Sequence, residues 1–188
     1  MTTDRPLRAD ARRNAERVLA AARETFAEQG PDASLNEIAR RAGVGPGTLY
    51  RHFPNRRALQ AAVLRDRVER LASLADGLRA VPPAEALETW LRAFLAHART
   101  DHGLGGEALR HEPSGMGFDC HQVIVDTATG VLDRARRAGA VRPDAHPGDL
   151  LRIVAGIALS PPVGDDDPGQ AERLLALTLD AVRARTVS

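Results

Sequence analysis

The sequence predicts an all-α chain of about nine helices, a small three-helix head followed by a larger helical body. Three observations carry this. Apolar residues recur at i, i+3, i+4 and i+7 along most of the chain, the period of one helix face. Period-2 alternation is absent and β-branched residues are few, which disfavours strands. Breaks at Gly30-Pro31, Gly43, Pro54-Asn55, Val81-Pro82-Pro83 and Gly139 cut the periodic runs into helix-sized pieces.

Residues 1–10 hold charges, Pro6 and little apolar content, and read as a flexible arm. Arg5, Arg8, Arg12 and Arg13 either reach a polyanion from it or are solvated. The first helix is expected over 11–29. Ala15, Val18, Leu19, Ala22 and Phe26 form its stripe, and Gly30-Pro31 ends it.

Residues 34–53, SLNEIARRAGVGPGTLYRHF, read as a helix-turn-helix. Leu35, Ile38, Ala39 and Ala42 share one face. Ser34 is a good N-cap, and Glu37 completes a capping box. Gly43 stands where the chain needs positive φ to leave a helix. Pro46 suits the first position of a second short helix. Leu49 and Phe53 face inward there, while Thr48, Tyr50, Arg51 and His52 project outward. Such a helix fits a DNA major groove, and its first residues reach base edges. Gly45 and Gly47 let backbone amides approach a phosphate closely. Tyr50 and His52 can each donate a hydrogen bond to phosphate, and Thr48 can meet a base edge. An ordinary helical hairpin with a solvated basic face is the alternative.

The long helix expected over 55–80 changes phase. Leu59, Ala62 and Val63 face the head; Val68, Leu71, Ala75 and Leu78 face another core. Arg56 and Arg57 stand at its start, Arg57 as a surface residue. The domain limits follow: arm 1–10, helix-turn-helix 11–54, connector 55–80, body 81–188.

In the body, Leu87, Trp90, Leu91, Phe94, Leu95 and Ala98 form a clean stripe. Residues 102–121 read as irregular, with short helical pieces around 107–111. A helix over 120–138 presents Ile124, Ala128, Val131, Leu132 and Ala135 and ends at Gly139. The last two helices, over 147–160 and 171–182, are apolar around much of their circumference, so each is buried on more than one side. A second copy of the chain is the simplest cover, giving a homodimer through a four-helix bundle. Between them Asp167 is expected as N-cap, with Pro168 following and Gln170 closing a capping box.

Charge agrees with a modular DNA-binding protein. All 26 basic side chains are Arg. Residues 1–79 hold 15 Arg against 10 acids, and the remainder 11 against 15. The basic head rides on an acidic body. One cysteine, Cys120, excludes an intrachain disulfide framework. No apolar run is long enough for a membrane span, and the first residues lack the core of a signal peptide, so a cytoplasmic protein is expected. His97, His102, His111, Cys120 and His121 are concentrated but match no zinc spacing. No metal and no cofactor are expected. No phosphate loop, nucleophile elbow or paired-carboxylate motif appears, so no enzyme is expected.

The run IARRAGVGPGTLYRHFPNRRAL, with RRNAERVLAAARETFAEQG before it, resembles the DNA-binding head of the TetR family of bacterial repressors over residues 12–64. Beyond residue 80 the resemblance is mainly one of architecture. Two positions depart from the family pattern. Gly45 stands where Ser is frequent and Pro46 where Lys is frequent, which weakens a cap and removes a cation. The resemblance implies that Arg56 clamps a DNA phosphate, and that Ser34 lies at the same interface. It also implies a homodimer through the last two helices on a pseudo-palindromic operator in double-stranded DNA. It further implies a repressor released by a small-molecule effector held in the body. Trp90, Phe94, Met116, Phe118, Cys120 and His121 are the residues expected near that ligand; plain core packing is the alternative for them. A regulator without small-molecule input, constitutive or controlled by a protein partner, is the alternative function.

Overall fold

The computed structural model describes residues 4–105, 119–161, 167 and 169–184, side chains excepted at 4–9 and 101–105. The described residues form eight α-helices and one 3-10 turn, in the order α1 (Asp4–Gln29), α2 (Leu35–Arg41), α3 (Pro46–His52), α4 (Arg56–Gly77), the 3-10 turn Leu78–Ala80, α5 (Pro83–Gly105), α6 (Cys120–Arg137), α7 (Pro147–Leu159) and α8 (Gln170–Val182). Strand pairing among them is a single isolated bridge, Val141 with Arg183. The chain forms two compact units that divide within α4, after Asp66.

The first unit is the expected three-helix head closed by the start of α4. Val18, Ala22 and Phe26 of α1 meet Ile38 and Ala39 of α2, Leu49 of α3, and Leu59 and Val63 of α4 in one buried cluster. Ala39 is 1 % exposed; its small side chain suits a place where helices cross closely. Thr25, fully buried, gives its hydroxyl to the Ala21 carbonyl at 2.7 Å, so it leaves no unpaired donor in the core.

Glycine ends two helices in the same way. Gly43 has φ 65°, and the amides of Gly43 and Val44 donate to the carbonyls of Arg40 and Ala39 at 3.1 and 3.0 Å. Gly139 has φ 66°, with amides 139 and 140 on the carbonyls of Arg136 and Ala135. Both are paired Schellman turns, which use the carbonyls a helix leaves unbonded.

The second unit holds residues 67–102 and the described residues from 119 onward. Val68 and Leu71 of α4 are buried there, with Leu87, Trp90, Leu91, Phe94 and Leu95 of α5. The five residues expected on the inner face of α6 are all buried. Arg134 of α6 donates to the carbonyls of Leu78 and Val81 at 2.9 and 2.6 Å, holding the break after α4. The main chain beyond α8 is tied back, Arg142 N–H to the Val182 carbonyl and Ala184 N–H to the Ala140 carbonyl.

Four boundaries differ from expectation. α1 begins at Asp4, not 11, because Pro6 is only its third residue, where a helix amide has no intrahelical partner to lose. α4 stops at Gly77, and 78–80 tighten into the 3-10 turn. α5 runs on to Gly105 through residues expected to be irregular. α8 starts at Gln170 with Gly169 as its N-cap. Asp167, expected as the N-cap, stands two residues before it; its carboxylate still accepts the Gly169 amide at 3.2 Å, the bond a capping side chain makes, and takes both terminal nitrogens of Arg173. The pieces expected near 107–111, and Pro168, lie outside the described residues.

A Cβ at Gly43 would meet only the Arg17 guanidinium, at an ordinary 3.7 Å. The cost of Gly43→Ala is therefore conformational, about 1–2 kcal/mol for a left-handed residue. Urea unfolding should show a lower midpoint with an unchanged slope.

Candidate nucleic-acid interface

α2 is set by its ends. The Ser34 hydroxyl accepts the Glu37 amide at 3.4 Å, so Ser34 is the N-cap expected. The reciprocal half of the capping box is not made. Arg40 takes both oxygens of Glu37, through Nε at 2.8 and Nη2 at 2.7 Å, and Arg41 Nε adds a third bond at 2.9 Å. Arg41 also pairs with Glu28 of α1 at 2.7 Å. Hydrogen bonds from Arg40 and then Arg41 hold the Glu37 carboxyl down to about 2.

α3 begins on Gly45, which offers no side-chain cap, with Pro46 at the first position. Thr48 and Leu49 amides donate to the Gly45 carbonyl. Pro46 has no N–H, so Gly47 supplies the remaining amide of the first turn. A Cβ at Gly45 or Gly47 would meet nothing within 4 Å. Packing inside the chain therefore does not require glycine at either place. Leu49 is 1 % and Phe53 9 % exposed, whereas Tyr50 is 46 % exposed, so α3 turns an aromatic hydroxyl outward while its apolar pair anchors it. Thr48 and His52 are half-buried. Arg51 is exposed and folds back along α3, Nε to the Gly47 carbonyl at 3.2 Å and Nη2 to the Thr48 hydroxyl at 3.4 Å.

Arg56 is half-buried at the start of α4. Its Nη1 donates to the Pro31 carbonyl at 3.1 Å and to the Ala33 carbonyl. Gln60, one turn later, donates to the same Pro31 carbonyl at 2.9 Å. None of these three bonds was legible in the sequence, because both acceptors are backbone oxygens more than twenty residues away. Arg57 is exposed, as expected.

The residues expected near an effector are distributed differently. Trp90 is fully buried; its indole N–H donates to the Leu71 carbonyl at 3.1 Å, and its ring stacks on Phe94 at 5.7 Å. Cys120 is half-buried in the first turn of α6 and His121 is exposed. Met116 and Phe118 lie outside the described residues, as does His111. Among the described residues no three His, Cys, Asp or Glu side chains are placed to hold a metal ion.

Residues 18–63 match the model for bacterial regulatory proteins of the tetR family, and residues 82–184 the model for the C-terminal domain of SbtR-like transcriptional regulators. The HTH-type transcriptional repressor Rv1474c of Mycobacterium tuberculosis is 31% identical over 175 residues, 88% of either chain. The TetR transcriptional regulator SCO0520 of Streptomyces coelicolor is 44% identical with a TM-score of 0.77, over 92% of this chain and 99% of that one. A TetR regulatory protein of Mycobacterium vanbaalenii is 38% identical with a TM-score of 0.72, over 95% and 99%.

Two outcomes are expected. Glu37 is more acidic folded than unfolded, so its bonds add stability above its ordinary range. That stability disappears as pH falls from about 4.5 towards 2. In acid titrations of urea stability, Glu37→Gln should flatten this part of the wild-type decline. Gly47→Ala should stabilise the free protein by about 0.5–1 kcal/mol, since Ala favours a helix and the space is open. If the bare backbone is there for a phosphate, the same variant should bind duplex DNA more weakly in a gel shift.

Proposed function

Because the chain belongs to the TetR family of bacterial transcriptional regulators, we propose that this helix-turn-helix regulator acts as a repressor released from its operator by a small-molecule effector. Regulation of transcription, not catalysis, is the business of that family. The observation that carries the DNA-binding part is α3 itself: Leu49 and Phe53 are buried while Tyr50, Gly45, Gly47 and Arg51 are open to solvent. Thr48, Arg51 and His52 would lie beside Tyr50 in a major groove, with Gly45, Gly47 and Ser34 near phosphates. Residues 11–54 would then be the DNA-binding domain, residues 55–80 the connector and 81–188 the effector-binding and dimerisation domain.

A homodimer through α7 and α8 is supported by what they expose. Ile153 is 46 %, Leu159 50 % and Leu177 65 % exposed, and with Tyr50 these are the large apolar side chains open to solvent among the described residues. Two copies with their heads on one duplex call for a pseudo-palindromic operator. No helix among the described residues is long and apolar enough to cross a membrane, and action in the cytoplasm follows from the proposed DNA target.

Repression is supported by the mycobacterial relative, itself a repressor. Release by a ligand would be a population shift: the effector favours an arrangement of the dimer in which the two heads no longer match successive grooves. The second reading, a regulator without small-molecule input, has its own observation. Trp90 and Phe94 are stacked and buried, and the indole N–H is satisfied, as in ordinary packing.

Tyr50→Ala should weaken operator binding and leave the melting temperature and the oligomeric state unchanged. Unaltered gel-shift affinity would remove Tyr50 from the interface. If a screened small molecule releases the operator, its affinity for free protein must exceed that for the DNA complex by the same factor as it weakens DNA binding. Equal affinities would exclude the population shift.

A further inference from the structure

We propose that Arg56 and Gln60 are positioning residues for DNA binding, clasping the loop before α2 onto the start of α4 so that α4 sets where the helix-turn-helix lies. This rests on the DNA-binding reading above. The geometry is specific. Arg56 and Gln60 are four apart on α4 and so share a face. The Pro31 carbonyl accepts from Arg56 Nη1 at 3.1 Å and from Gln60 Nε2 at 2.9 Å, and the Ala33 carbonyl accepts from the same Arg56 nitrogen. Gly30 turns the chain with φ 82°, and its carbonyl accepts the Ala33 amide at 3.2 Å. Ser34 follows at once, its hydroxyl on the Glu37 amide and its carbonyl on the Ile38 amide.

The carbonyls of residues 30, 31, 33 and 34 thus all have donors, and two of them are fed from α4. Ala33 is 5 % exposed, so this loop is fixed from beneath as well. The consequence is mechanical. A rotation or slide of the first turn of α4 would carry residues 31–33, and with them the cap of α2. The paired bonds around Gly43 then pass the change to α3. Arg56, matched by resemblance to a phosphate clamp, is occupied inward. Its charge is held against main-chain oxygens that need donors, which gives it a role independent of phosphate.

The test uses full-length protein, an operator fragment recovered by selection from a random-sequence pool, and a random duplex of the same length. Arg56→Met and Gln60→Met remove the donors; Met matches Gln in length and keeps an unbranched apolar stem at position 56. Each should lower operator affinity about fivefold or more while the random duplex is bound as before. The slope of log affinity on log salt should stay at its wild-type value. The double variant should lose less than the product of the two, since both donors serve one carbonyl. Amide exchange in the free variants should quicken at residues 33–38 and not across the Val18 and Leu49 core, which global destabilisation would affect equally. A slope reduced by about one unit in Arg56→Met, with Gln60→Met silent, makes Arg56 a phosphate contact and overturns the proposal. Unchanged operator affinity in both variants overturns it too. Should Arg56→Met not fold, Gln60→Met decides alone, since it removes one neutral donor. A wild type with no preference for any duplex over random sequence removes the DNA-binding reading itself, and this inference with it.

Discussion

Between Arg41 and Pro46 the chain must leave one helix and start another within four residues, and the direction of α3 depends on how it does so. The left-handed conformation of Gly43 permits the reversal, and the amides of Gly43 and Val44 on the carbonyls of Arg40 and Ala39 fix its geometry. Leu49 can then drop into the cluster with Ile38 and Ala39, and Phe53 follows one turn later. Burying that pair leaves Tyr50 and Arg51 on the opposite side. The outward chemistry of α3 is thus a consequence of its inward packing.

α4 is bound by hydrogen bonds to main-chain oxygens near both its ends. At its start Arg56 and Gln60 donate to Pro31 and Ala33. Towards its end the flow reverses: the Leu71 carbonyl accepts from the Trp90 indole, and the Leu78 and Val81 carbonyls, at and just after the 3-10 turn, accept from Arg134. Leu59 and Val63 belong to the core of one unit, Val68 and Leu71 to the other. Such a helix is held in register on each side by groups whose loss would leave polar atoms unpaired, and it suits the connector role proposed for it.

What could be read from the sequence was local. The stripes of α1, α5 and α6, the ends at Gly43 and Gly139, and the cap at Ser34 depend on residues within a turn of one another, where spacing is a sufficient guide. The spare apolarity of α7 and α8 was legible for the same reason, and Ile153, Leu159 and Leu177 of these helices are exposed. The bonds from Gln60 and Arg134 were illegible because a side chain meeting a distant backbone carbonyl leaves no mark on composition or period. Glu37 shows the limit within a single turn. Its place suggested a capping box, but two arginines three and four residues on compete for the carboxylate and win. α1 starts ahead of its apolar stripe, through charged residues that carry no periodic signal and Pro6 in a first turn where proline costs a helix nothing.

The proposed arrangement is two identical heads, held by α7 and α8, on one duplex. It is tested most directly by footprinting the protein on DNA selected from a random pool, beside a Leu177→Glu variant that places a charge on the exposed face of α8. Two inverted half-sites should be protected together, with centres about 10 base pairs or a multiple apart. In the variant, a monomeric protein should lose this joint protection. A single half-site, protected equally by the wild type and a monomeric variant, would contradict it.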